Sequence, residues 1–128
     1  MNQTLLARIQ TQDDIALVAT DDLRVGAGGA GDRAALAEEM RRVPPENIDL
    51  LKQTGLLQTI QPATCGGDQL SMRAHVDVIS TIAKGCNATA WVLGVYQAHS
   101  WMFGHMSEQA QKDVFGNGGD QAVAAVIG

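Results

Sequence analysis

Apolar residues crowd most densely between positions 85 and 106, which read GCNATAWVLGVYQAHSWMFGHM. Wound as a helix at about 100° per residue, the stretch puts Trp91, Val95, Ala98, Met102 and Met106 on one face. Val92, Tyr96, His99 and Phe103 form an adjoining stripe, and only Gln97, Ser100 and Gly104 make a narrow polar-to-small side. A helix apolar over most of its circumference is normally buried, so the pattern predicts a central core helix over Asn87–Met106, with Trp91, Val95 and Met102 inside. Asn87 is a suitable N-cap, and Gly85 can close the preceding helix. His99 is the odd member, either a hydrogen-bonded core histidine or a functional base.

Elsewhere the pattern is punctuated by caps and breakers. Residues Thr4 to Arg24 can form a helix through Leu5, Ile9, Leu17 and Leu23. Gly26, Gly28 and Gly31 formally satisfy GxGxxG, but no second parallel strand follows, so the stretch reads as a flexible joint. Asp32 is placed to cap a helix over Arg33–Val43, which Pro44-Pro45 stops, and Pro45 suits the first turn of a helix over Glu46–Thr54. Gly55 reads as the residue just past that helix, with Leu56 closing over it. Leu57 to Gln61 reads as extended, and Pro62 to Asp68 as a turn-rich loop. Ser71 caps a helix to about Lys84, with Met72, Val76, Ile79 and Ala83 as its apolar face; His75 reads as a packed or surface histidine. Ser107 caps a short helix ending at Gly116. A turn at 117–120 leads to Gln121–Ile127, which looks like a first strand without a partner.

Composition narrows the class. The chain has 128 residues, 45% hydrophobic and 18% charged, enough for one ordinary domain. A net charge of −5 speaks against nucleic acid as a partner. Cys65 and Cys86 lack metal-ligand spacing and read as reduced cytosolic thiols, so no metal site is expected. The N-terminus carries no secretory pattern, and Gln97, His99 and Ser100 interrupt the one apolar helix, which argues against a membrane span. These features together predict a cytoplasmic location.

The order of short segments carries a resemblance. Arg41-Arg42-Val43-Pro44-Pro45-Glu46-Asn47 leads to Leu50-Leu51-Lys52-Gln53-Thr54-Gly55-Leu56, and then to Pro62-Ala63-Thr64-Cys65-Gly66-Gly67. Gly85-Cys86-Asn87-Ala88-Thr89-Ala90-Trp91-Val92, His99-Ser100-Trp101 and Glu108 to Gly116 follow. Over roughly residues 33 to 128 this set resembles the N-terminal helical domain of flavin-dependent monooxygenases built on the acyl-CoA dehydrogenase fold. That group includes the oxygenase components of two-component aromatic hydroxylases. The resemblance implies a mainly α domain with the first strand of a missing β-domain at its C-terminus. It divides the chain into an N-terminal helix and Gly-rich joint (1–31), a helical domain (32–116), and a turn with an orphan strand (117–128).

In such enzymes a separate flavin reductase delivers reduced flavin, FMN or FAD. A C4a-hydroperoxyflavin then hydroxylates a phenolic or polycyclic aromatic substrate, usually within a tetramer. A histidine on the corresponding helix faces the substrate hydroxyl; here that position is His99, the implied catalytic base, with Val92, Val95 and Phe103 as substrate contacts on its stripe. His105 is treated as structural, and Trp91 and Trp101 as packing. Gly26 to Gly31 departs from the family's continuous helix. Because the flavin-binding domains have no counterpart in the sequence, the resemblance implies a fragment, inactive alone and without flavin affinity. Two other readings stand beside it: a piece of an acyl-CoA dehydrogenase, and a non-enzymatic helical module whose last strand mediates assembly.

Overall fold

The computed structural model describes residues 33–118 and 121–124, which form five α-helices joined by short turns. The helix expected over 4–24, the glycine joint and the capping role of Asp32 lie outside the described residues. Helix α1, Ala34–Met40, has Arg33 at its N-cap position and closes on Arg41, a non-glycine residue in the left-handed region with φ 53°. The Pro44-Pro45 pair then does what proline chemistry dictates. Pro45 occupies the first turn of α2, Pro45–Gln53, where a missing N–H costs nothing. Thr54 ends that helix by donating its hydroxyl to the carbonyls of Leu50 and Leu51, and Gly55 turns the chain at φ 76°.

The segment after Gly55 corrects an expectation. Leu57 to Gln61 is not an extended run: a 3-10 turn spans Leu56–Gln58, bends follow, and every residue from Leu56 to Gln61 is buried. Burial without a flanking sheet obliges the backbone to find other partners. Three carbonyls of the run, those of Gln58, Thr59 and Gln61, accept from the N–H groups of Asp68, Leu70 and Gln69 as the loop returns. A second 3-10 turn, Ala63–Cys65, carries the chain around the bend. Gly67 is required there, because a Cβ would sit 2.0 Å from the Gln61 carbonyl oxygen.

Ser71 caps α3, Met72–Ala83, its hydroxyl accepting from Ala74 N–H at 3.2 Å. The face of α3 that enters the core is Ala74, Val78 and Ile82, flanked by half-buried Ile79 and Ala83. Met72 and Val76, expected on the inner face, are 57% and 51% exposed. The small Ala74 lets α3 approach α4, and the bulkier pair is turned outward.

Helix α4, Asn87–Phe103, makes its most extensive contact with α3 and also meets α1, α2, the first 3-10 turn and the last helix. It is therefore central, as the pattern predicts, with Cys86 rather than Asn87 at the N-cap. Its orientation is the reverse of the one expected. The buried residues are Thr89, Ala90, Leu93, Gln97 and Ser100, joined by Gly104 just past the end. Trp91 is 76% exposed and Met102 44%, while Val95 is half-buried. The polar-to-small side wins the core for two reasons. Gly104 packs where a Cβ would lie 2.4 Å from Pro62 Cδ, and Gln97 supplies the hydrogen bonds that the buried turn beneath it requires.

The core proper joins Leu51, Leu56, Leu57, Ala74, Val78, Ile82, Ala90 and Leu93. Helix α5, Glu108–Phe115, is capped by Ser107 and carries Phe115 into a smaller cluster with Cys65 and Val123. Residues 121–124, the start of the expected strand, have no regular secondary structure; the remainder of that segment lies outside the described residues.

Candidate functional site

The inversion of α4 leaves an apolar wall on the outer side of the domain. Trp91, Val95 and Met102 fall within about a third of the helix circumference, His99 lies at its edge, and exposed Met106 follows in the turn after the helix. Contiguous apolar surface of this kind marks a place where something else packs or binds.

His99 is half-buried in that wall, and its Nδ1 lies 2.7 Å from the carbonyl oxygen of Val95, one turn earlier. A carbonyl can only accept, so Nδ1 carries the proton and Nε2 of the neutral ring keeps its lone pair. The arrangement presents a basic nitrogen beside carbon surface. Of the other residues expected at the site, Val95 is joined to His99 by this bond, and Val92 lies at the N-terminal end of the wall beside Trp91. Phe103 is placed apart from them: it packs against the cluster of Cys65, Phe115 and Val123.

The remaining histidines have different surroundings. His75 Nδ1 is 2.5 Å from Gln97 Oε1, and the Gln97 amide donates to Leu56 O at 2.6 Å and Thr59 Oγ1 at 3.1 Å. Since the amide nitrogen already faces two acceptors, the oxygen must face His75, and His75 is the donor. Of the two placements expected for it, packed or surface, His75 takes the packed one. His105 bonds Trp101 O at 2.7 Å and leans on the indole with centroids 4.6 Å apart.

Two polar features had no signal in the sequence. Asn47, fully buried, accepts from Arg33 Nε and donates to Thr89 Oγ1 at 2.9 Å, tying the start of α1 to α2 and α4. Asp68 is half-buried as a residue, yet both carboxylate oxygens are covered and make no hydrogen bond; burial pushes its carboxyl from 3.8 up to about 6. Among the described residues no cluster of His, Cys, Asp or Glu could hold a metal ion. No helix among them is long and apolar enough to cross a membrane.

A helical domain with one apolar wall turned outward, bearing a single oriented imidazole, is the class of object that fold and site define. The family model for the acyl-CoA dehydrogenase N-terminal domain matches residues 29–116, and the chain belongs to that family. Its relatives point to one branch. It is 33% identical over 94 residues to the flavin-dependent monooxygenase oxygenase subunit HsaA of Rhodococcus jostii, covering 73% of this chain and 25% of the relative. It is 39% identical over 82 residues to the oxygenase component of p-hydroxyphenylacetate 3-hydroxylase from Acinetobacter baumannii, covering 64% and 19%. With the oxygenase component of the FADH(2)-dependent resorcinol hydroxylase of a Rhizobium species it shares 33% over 82 residues, covering 64% and 20%. The chain thus spans a quarter or less of the length of these relatives. No solved structure gives a significant match.

Proposed function

We propose that this chain supplies the N-terminal helical domain of a flavin-dependent aromatic hydroxylase, the oxygenase component of a two-component system. The observation that carries the reading is the tautomer of His99, whose free Nε2 sits on an outward apolar wall. A phenol ring laid on Val95 and Val92 brings its hydroxyl to that nitrogen. Transfer of the phenol proton to Nε2 leaves a phenolate, whose ring is the better nucleophile toward an electrophilic oxygen. The wall's part is to exclude water and hold the ring flat. Phe103, half-buried against Cys65 and Phe115, supports the end of the helix under this reading instead of touching the substrate.

The wall offers carbon, sulfur and one imidazole, a surface for an aromatic ring. Under this reading flavin binding belongs to the length of the relatives that this chain does not span. Alone, the chain is expected to be inactive and to bind neither FMN nor FAD. In the complete assembly it works with a flavin reductase and an aromatic substrate, and its subunits form a homo-oligomer. Buried, unpaired Cys65 and Cys86 accord with a reducing cytoplasm.

The test is a chimera in which this chain replaces the N-terminal domain of the p-hydroxyphenylacetate 3-hydroxylase oxygenase component, supplied with reduced flavin and oxygen. His99→Ala in the chimera is expected to lower hydroxylation by about 10²–10⁴-fold, the usual yield of a positioned base, with rising peroxide release and little change in melting temperature. A collapse in melting temperature with product per folded molecule intact would make His99 a structural residue.

A further inference from the structure

Where α1 ends against the start of α4, the surface folds into a pocket of about 300 Å³. Ala37, Val43, Ala88 and Val92 give it an apolar lining, and the indole of Trp91 forms one side while remaining 76% exposed. Arg41 and Arg42 stand at its rim with Glu38. Among the described residues neither arginine side chain takes part in a hydrogen bond or ion pair, and neither does Glu38. Two adjacent unpaired guanidinium groups on a chain of net charge −5 are an uneven distribution of charge. Arg41 also holds a left-handed backbone, φ 53°, which residues with a Cβ rarely adopt and which tends to persist where a site needs it.

We propose that this pocket binds a planar aromatic carboxylate, with its ring on Trp91 and its carboxylate on Arg41 and Arg42. The volume is at the lower end of the range for small-molecule sites and takes a two-ring compound. An exposed indole offers an offset-stacking face, and an arginine fork matches a carboxylate in two parallel hydrogen bonds. Glu38 opposes the same ligand, so the site's affinity is set by two cations against one anion. The pocket shares Val92 with the wall, but Trp91, which would carry the ring, lies eight residues from His99 along α4, or about 12 Å at 1.5 Å per residue. It does not depend on the hydroxylase reading, and its test measures binding without turnover.

The full chain, labelled with nitrogen-15, is titrated with 2-naphthoate and with its neutral analogue 2-naphthamide, following the two indole N–H signals. A Trp101→Phe variant assigns the Trp91 signal. 2-Naphthoate is expected to shift Trp91 and to bind about tenfold more tightly than the amide at low salt, the advantage shrinking as salt screens it. The Arg41→Gln/Arg42→Gln double variant should bring the acid down to the affinity of the amide. Glu38→Gln should tighten the acid and leave the amide unchanged. An unaltered pattern of the remaining signals verifies that each variant is folded. Equal affinity for acid and amide, a shift at Trp101 alone, acid selectivity that survives loss of both arginines, or no binding by either compound overturns the proposal.

Discussion

Gln97 Oε1 accepts a hydrogen bond from His75 Nδ1 at 2.5 Å across the α3–α4 contact, while the same amide's nitrogen holds the Leu56 carbonyl. One fully buried side chain thereby secures α3 and α4 to each other and to the first 3-10 turn. Gln97→Leu keeps the volume and removes every one of these bonds. It strands the His75 donor, while the Leu56 carbonyl keeps the Thr59 hydroxyl at 2.9 Å; one unsatisfied buried group costs about 1–3 kcal/mol. Urea unfolding should show a loss of roughly 1–3 kcal/mol, the cost of one such group. A loss below about 0.5 kcal/mol, the range of ordinary surface substitutions, would mean water replaces the amide.

The outward position of Trp91 makes a contrasting claim. Trp91→Ser on the exposed wall should change unfolding free energy by no more than about 0.5 kcal/mol. The same substitution should reduce self-association in sedimentation experiments, because it removes the largest apolar group on that surface. In a Trp101→Phe background the remaining indole should emit at the red-shifted wavelength of a solvated ring. Blue-shifted emission together with marked destabilisation would put Trp91 in the core.

Two glycines of the central helix region should respond oppositely to alanine. At Gly104 a new Cβ would lie 2.4 Å from Pro62 Cδ, so Gly104→Ala should cost about 1–3 kcal/mol through overpacking. At Gly94 the nearest atom to a new Cβ is Ile79 Cδ1 at 3.7 Å, an ordinary contact. Gly94→Ala should therefore stabilise by about 0.5–1 kcal/mol through helix propensity alone. Thermal melts of the two variants on the same day decide the matter, and equal effects would contradict the packing described.

Asp68 gives stability a pH dependence of known sign. Its carboxyl titrates near 3.8 when unfolded and at about 6 when folded, because burial disfavours the charged form. The folded state therefore binds the proton more tightly. This contribution to stability is complete below about pH 4, falls as pH rises toward 6, and is absent above that. Asp68→Asn keeps the shape without the charge. It should abolish this part of the slope and leave the variant more stable than the parent at pH 7. A parent and variant with parallel stability curves between pH 4 and 7 would show that the carboxylate is solvated.

Local chemistry was legible in the residues, whereas the direction of burial was not. Ser71 and Ser107 cap their helices, Pro45 opens one, and Gly55 turns the chain, because each depends only on neighbours a few positions away. For α4 the pattern is apolar nearly all round. Such a pattern says that the helix meets partners on most sides without saying which partner belongs to this domain. Gln97, Ser100 and Gly104 looked like the outward strip because they are polar or small. They face inward because smallness permits close approach and the buried Leu56–Gln61 turn needs a donor. That turn looked extended because its alternation is short and its true partners, residues 68–70 and Gln97, are distant in sequence. His99 was legible as the one ionisable group on its stripe, but its bond to the Val95 carbonyl, which fixes the useful nitrogen, exists only once the helix has formed.

The outward wall of α4 has a thermodynamic corollary. Whatever covers Trp91, Val95 and Met102 binds the folded domain and not the unfolded chain, so it adds free energy that grows with the logarithm of its own concentration. A melting temperature measured on this chain is then a property of the mixture as much as of the molecule. It should climb as the chain is concentrated, or as the covering surface is supplied in excess.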